Sequence, residues 1–260
     1  MARTVWLDTL PLWGVFAATV LLVLLSVEIG YRLGRYRHKV SVREKEGPVG
    51  SMVGATLGLL AFLLAFTFGL AATRFDARRD VVLGEANAIG TTYLRAGLLP
   101  EGRDEVRAIL RDYVDARLDV FKTGLLAAAV RRSEEMQGRL WARTVGLGEK
   151  HPTSIVVGLF IQSVNDVVDF HSKRLEGLRN RIPGVIWTGL YGLAALALGG
   201  IGYQSGLAGT SRSLEIVVVA VAFSLVIGLI ADLDRPGEGF LTVSQRAMFD
   251  LRSSMMESAR

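Results

Sequence analysis

The stretch Gly50–Arg79, GSMVGATLGLLAFLLAFTFGLAATRFDARR, governs how the rest of the chain is read. From Ser51 to Thr73 it holds no charged residue and no proline. At a rise of about 1.5 Å per residue, a helix of that length crosses the hydrocarbon core of a bilayer. The stretch ends in charge, at Arg74, Asp76, Arg78 and Arg79. Gly50, Gly54, Gly58, Phe62 and Phe66 are spaced by four, which on a helix sets them on one slowly drifting ridge. The ridge is small at its glycine end (Gly50, Gly54), where helices can approach closely, and wide and apolar at its phenylalanine end. Two readings follow. Either the ridge is a packing seam in a helical bundle, or several copies of the helix surround an axis and turn Phe62 and Phe66 into a constriction.

Composition points to a membrane protein. Of 260 residues, 50% are hydrophobic and 21% charged, the mean hydropathy is +0.36, and the apolar residues gather into four long blocks. There is no cysteine, which excludes disulfides, thiolate metal sites and cysteine nucleophiles. The net charge of +5 fits membrane orientation and anionic headgroups better than nucleic acid.

The first apolar block, Leu12 to Ile29, follows a short head whose one basic residue is Arg3. Its length and the lack of a small-x-small site predict an uncleaved span. Glu28 near its end has Arg32 four residues on, the spacing of a helical ion pair. The connector Tyr31–Val49 is basic and ends in Gly47-Pro48. After the second span, Arg74–Pro183 reads as helical throughout. Val106, Ile109, Leu110, Tyr113, Val114, Leu118 and Phe121 mark an amphipathic helix, a further helix is expected over about 125–145, and another opens at His151-Pro152-Thr153-Ser154. Gly184–Tyr203 and Leu214–Ala231 are the third and fourth blocks.

The expected architecture is an all-α membrane protein with four transmembrane helices and a helical cytosolic domain between the second and third. Its divisions are 1–73, 74–183, 184–231 and a C-terminal tail at 232–260. Both termini then share a side with the helical domain. Basic flanks count ten on that face (Arg3, Arg74, Arg78, Arg79, Lys173, Arg174, Arg179, Arg181, Arg235, Arg246) against seven on the other (Arg32, Arg35, Arg37, Lys39, Arg43, Lys45, Arg212), which favours the cytoplasm for the helical domain.

Signals of chemistry are few. In GIGYQSG (200–206) the glycine a dinucleotide fingerprint needs is Ser205. His171 lies two residues from Asp169, a spacing that shares no helix face, and is expected on a solvated or interfacial face. Asp232-Leu-Asp234-Arg-Pro-Gly237 begins like a calcium loop, but its twelfth position is Val243. Asp232, Asp234 and Glu238 are the metal candidates. Their spread predicts a structural role, pairing with nearby arginines, of which Arg235 is closest in sequence. No nucleophile has a base beside it, and neither an enzyme nor a cofactor is expected.

FLLAFTFGLAATRFDARR (62–79) resembles the second span of bestrophins, with Phe62, Phe66, Thr73, Arg74 and Phe75 at the matching positions. RFDARRDVVLGEANAIGTTYLRAGLLP (74–100), LRNRIPG (178–184) and DLDRPGEGFLTVSQ (232–245) resemble the bacterial bestrophin-like domain family more closely. The resemblance implies a homopentameric ion channel in the bacterial inner membrane, with cytoplasmic termini and a helical part prolonging the pore. Its partners would be membrane lipid and small inorganic ions. Carried over by position, the hydrophobic neck falls to Phe62 and Phe66, with Gly58 where the family places a further apolar residue. The calcium clasp of bestrophins lacks its acidic run here: Gly239, Phe240, Leu241 and Thr242 follow Glu238. Arg74, Arg78 and Arg79, set just past the neck against Asp76 and Asp80, favour anions. The alternative is a non-conducting membrane scaffold or sensor whose helical domain binds a partner.

Overall fold

The structure is a computed structural model, and it describes residues 9–40, 46–123, 126–209, 214–236 and 239–258. Its regular elements are all helices: α1 (Leu12–Val40), α2 (Glu46–Ala96), α3 (Arg103–Thr123), α4 (Leu126–Lys150), α5 (Ile155–Arg179), α6 (Gly184–Leu207), α7 (Leu214–Asp234) and α8 (Arg246–Glu257). Candidate Glu238 lies outside the described residues, as do Arg3, Arg43, Lys45 and Arg212 of the charge count.

Four segments are long and apolar enough to cross a membrane: Leu12–Val40, Val49–Ala96, Ile155–Leu207 and Ile216–Asp234. Within the second, the uncharged part is 51–73. Within the third, α5 carries Asp166, Asp169, Lys173, Arg174 and Glu176, so the spanning part is α6. The candidate membrane spans are therefore α1 up to Ile29, 51–73 of α2, α6 and α7.

Contacts divide the chain into two compact units, one of 1–75 with 180–242 and one of 76–179 with 243–260. In the first unit, α1 and α6 cross at backbone distance. A Cβ on Gly30 would overlap the carbonyl of Gly199, one on Gly202 the carbonyl of Val27, and one on Gly206 the carbonyl of Tyr31. Small residues let two helices in lipid gain dispersion contact where no hydrophobic force draws them together. The GIGYQSG stretch thus serves packing. Thr19 Oγ1 donates to the Val15 carbonyl at 2.7 Å and lies 2.9 Å from the Tyr191 hydroxyl, closing a buried polar pair between the same helices. Leu60 and Leu64 of α2 join Trp187 and Leu190 of α6 and Ile227 and Ile230 of α7 in one core.

In the second unit, α3 packs on α4 and α8, and α4 on α5. Ile89 and Tyr93 of α2 share its core with Leu110, Phe160, Val164 and Met248. The C-terminal segment, expected as a tail, forms α8 and buries Met248 and Met255. Three boundaries move from the sequence expectation. The basic connector is largely helical, since α1 runs on to Val40 and α2 starts at Glu46 with Pro48 in its first turn, where a missing N–H costs no hydrogen bond. α4 continues through Gly146 and Gly148 to Lys150, since a glycine inside a helix costs only about 1 kcal/mol and need not end it. α6 persists to Leu207, four residues beyond Tyr203.

Candidate functional site

Along 51–73 of α2, one face is packed and the other bare. Leu60, Leu64, Thr67 and Ala71 are buried, three and four apart as a helix stripe requires. On the other side, Phe62 is 65% and Phe66 63% exposed. The ridge above them is open as well: a Cβ on Gly54 or Gly58 would meet nothing within 4 Å, whereas one on Gly50 would stand 2.9 Å from Gln204 Nε2. Within the chain, then, the ridge packs at Gly50 alone among its three glycines. At about 100° per residue, Gly69, Thr73, Asp76 and Asp80 stay within about 40° of Phe62 around the helix. All four are exposed.

The three arginines past this ridge have separate fates. By the same rotation Arg74 sits about 120° and Arg78 about 160° from Phe62. Arg74 Nη1 approaches Asp234 Oδ1 at 3.8 Å. Arg78 is buried, its stem against Gly177 of α5. Arg79 is exposed.

Asp234, at the end of α7, is 1% exposed, accepts two hydrogen bonds and faces a further cation. Arg181 Nε reaches Oδ2 at 3.1 Å, the Ile182 N–H reaches Oδ1 at 2.9 Å, and Arg74 completes the set. Two arginines reach it from 53 and 160 residues away in sequence. Arg235 Nη2 donates to the Leu10 carbonyl at 2.7 Å. Asp232 accepts the N–H groups of Phe240 and Leu241 at 3.0 and 3.1 Å, folding the following loop back on α7. That loop needs Gly239, whose φ is +122° and whose Cβ would overlap the Asp232 carboxylate. Among the described residues, no group of three or more His, Asp or Glu side chains is placed to hold a metal.

A second cluster, unforeseen in the sequence, lies in the other unit around Glu85 of α2, which is fully buried. Arg117 of α3 forms an ion pair with it at 2.9 Å, Arg174 of α5 forms another, and the Tyr113 hydroxyl donates to Oε1 at 3.2 Å. Arg174 also donates to Gln245, the residue that opens α8, at 3.0 Å. One carboxylate thus ties together α2, α3, α5 and α8. Burial pushes the Glu85 carboxyl up, but Arg117 and Arg174 together outweigh that and hold it below its ordinary value.

His171 belongs to this cluster, and the expectation of a solvated face is corrected: it is buried at 4% exposure. It continues the α5 stripe Phe160, Val164, Val167, so helical spacing carries it into the core. Its Nδ1 lies 3.4 Å from the Tyr113 hydroxyl. Since that hydroxyl gives its one proton to Glu85, Nδ1 is the protonated nitrogen and Nε2 is a buried acceptor with no donor. Burial first, and then the Arg117 charge, push the His171 pKa down.

A family model described as the Bestrophin-like domain matches residues 17–248. Among solved structures, a bacterial bestrophin homologue from Klebsiella pneumoniae superposes with a TM-score of 0.65 at 16% identity, over 94% of this chain and 96% of its own. Two point variants of that homologue give 0.66 at 16% identity (95% and 98% covered) and 0.69 at 13% (93% and 96%). A comparison with curated proteins returns no match. At that identity the superpositions show the fold, four apolar spans with helical units, and the family model covers most of the chain. The chain belongs to the Bestrophin-like domain family.

Proposed function

We propose that the protein is an ion channel of the inner membrane, a homopentamer in which five copies of α2 surround the conduction path. Phe62 and Phe66 form its apolar neck and Gly58 its wider end. The observation that carries this is the bare face of α2: two phenylalanines some two-thirds exposed beneath three glycines, opposite a fully packed stripe. A ring of phenyl groups around an axis closes by dewetting, without a charged filter. The helical segment 74–183 and both termini lie in the cytoplasm in this reading, supported by the excess of basic flanks.

For the permeant ion, the motive for anions weakens once side chains are located. Arg74 is held toward Asp234 and Arg78 is packed against α5. The exposed carboxylates Asp76 and Asp80 share the Phe62 face of α2, which favours small cations instead. Bilayer recordings of purified protein test both parts. The reading requires single-channel steps and a reversal potential that follows the sodium or potassium gradient. A stable monomer with no current would favour the scaffold alternative, and a reversal potential that tracks chloride would restore anions.

A further inference from the structure

A groove of about 340 Å³ opens between α1 and α7, away from the α2 ridge. Among the described residues, its apolar wall is Leu21, Leu24 and Leu25 of α1 with Ile216 and Val217 of α7, and Glu28 is the one charged residue lining it. From Leu21 to Glu28 is two helical turns, so the groove runs roughly 10 Å along α1. Its volume is at the low end for a ligand pocket, enough for part of one chain rather than a whole lipid. Leu21 and Leu25 are more than half exposed at its mouth, as a site entered sideways from the bilayer requires. Beyond Glu28, one turn on, Arg32 places its Nε 2.6 Å from the Glu28 carboxylate and keeps its side chain 76% exposed.

We propose that this groove binds a zwitterionic phospholipid with a primary ammonium, of the phosphatidylethanolamine class. One acyl chain lies along Leu21, Leu25 and Val217, the ammonium donates to Glu28, and the phosphate meets Arg32. The charge order selects the class. A carboxylate and a guanidinium one turn apart complement a headgroup that carries both signs, and an acid at the groove repels a purely anionic lipid. A carboxylate rewards a cation that has N–H donors. A quaternary ammonium has none and is better held by an aromatic cage, whereas among the described residues Tyr31 is the single aromatic on this groove. The site does not depend on conduction and stands or falls separately from the channel reading.

The test is native mass spectrometry of the intact protein, released from detergent after titration with lipids of identical acyl chains. The headgroups would be ethanolamine, its mono- and dimethyl derivatives, choline and glycerol. Wild-type protein should retain the ethanolamine lipid about fivefold over the choline lipid, which corresponds to about 1 kcal/mol, with retention falling as each N–H is methylated. Glu28→Gln should bring the ethanolamine lipid down to the choline level, and Leu25→Trp, which fills the mouth, should lower all adducts several-fold. Equal retention of the ethanolamine and choline lipids by wild type would overturn the proposal without any variant. So would a preference that survives Glu28→Gln, or a glycerol-lipid preference abolished by Arg32→Gln. A change of subunit count in Leu25→Trp with unchanged adducts would overturn it too, by showing the groove to be a subunit contact.

Discussion

Arg181 Nε donates to Asp234 Oδ2 across 3.1 Å, joining a residue three before the start of α6 to the last residue of α7. The same carboxylate takes the Ile182 N–H and faces Arg74 at the end of the 51–73 span. One buried acid therefore fixes three ends of the membrane unit, and its removal leaves two guanidiniums facing each other.

Asp234→Asn is expected to destabilise the protein by about 3 kcal/mol, since stripping one partner from a buried pair is far costlier than losing an exposed one. This is the low end of the roughly 3–5 kcal/mol expected for breaking a buried pair, because Arg74 and Arg181 keep 19% exposure. Thermal unfolding in detergent checks it, with Arg246→Ala as control: its partner Asp250 is 73% exposed, and the change should be within about 0.5 kcal/mol. Equal melting temperatures for the two variants would show that Asp234 is not a hub.

Gly202→Ala should impair folding of the membrane unit, because its Cβ would overlap the Val27 carbonyl, a backbone atom that cannot rotate away. Gly54→Ala has open space within the chain and should leave the folded subunit intact. If Gly54→Ala loses the oligomer while the subunit still folds, the α2 ridge packs between copies. Unfolding yields and light scattering separate the two effects.

Acid should weaken the helical unit through His171. Its folded pKa is depressed, so the unfolded chain binds a proton first. Stability is complete above the unfolded histidine value near 6.5 and declines as pH falls below it. Glu85 is also depressed, but its contribution persists down to the unfolded carboxylate value near 4.3 and is lost only below that. Between these values the loss belongs to His171, which Glu85, Tyr113, Arg117, Arg174 and Glu134 surround. Denaturation midpoints at pH 7.5 and 5.5 should differ in wild type and differ less in His171→Asn. An unchanged difference in the variant would remove His171 as its source.

The four spans were legible because long uncharged blocks leave the chain no other way to bury them, and the ridge was legible as a spacing of four. The pairing of LRNRIPG with DLDRPGEG was not, since a contact across 53 residues leaves no trace in local periodicity. Glu85 did leave one: it falls three residues after Val82 and four before Ile89, both buried, an acid on an apolar stripe that must find cations. His171 left the same sign, four residues after Val167. For His171 the spacing to Asp169 was uninformative, and the helix face carried the information. α8 was missed because at 12 residues its two buried methionines give too short a pattern to stand out from a polar tail.

Phe66→Ala should raise conductance or open probability, and Phe62→Ala should do the same. Both rings stand on the bare face of α2, exposed by 63% and 65%, so truncation removes little packing within a subunit. Leu60→Ala is the contrast. That side chain is fully buried in the membrane core, and its loss should cost about 2–5 kcal/mol through lost burial and a cavity. If five α2 helices enclose the path, shortening either ring widens an apolar throat and eases its wetting, so current rises while the oligomer persists. If instead the phenylalanines face lipid, truncation leaves conductance unchanged. If they pack against a neighbouring helix of the assembly, it lowers the oligomer's melting temperature with no gain in current. Recordings and oligomer stability on the same preparations distinguish the three, and only more current through an intact oligomer supports the neck.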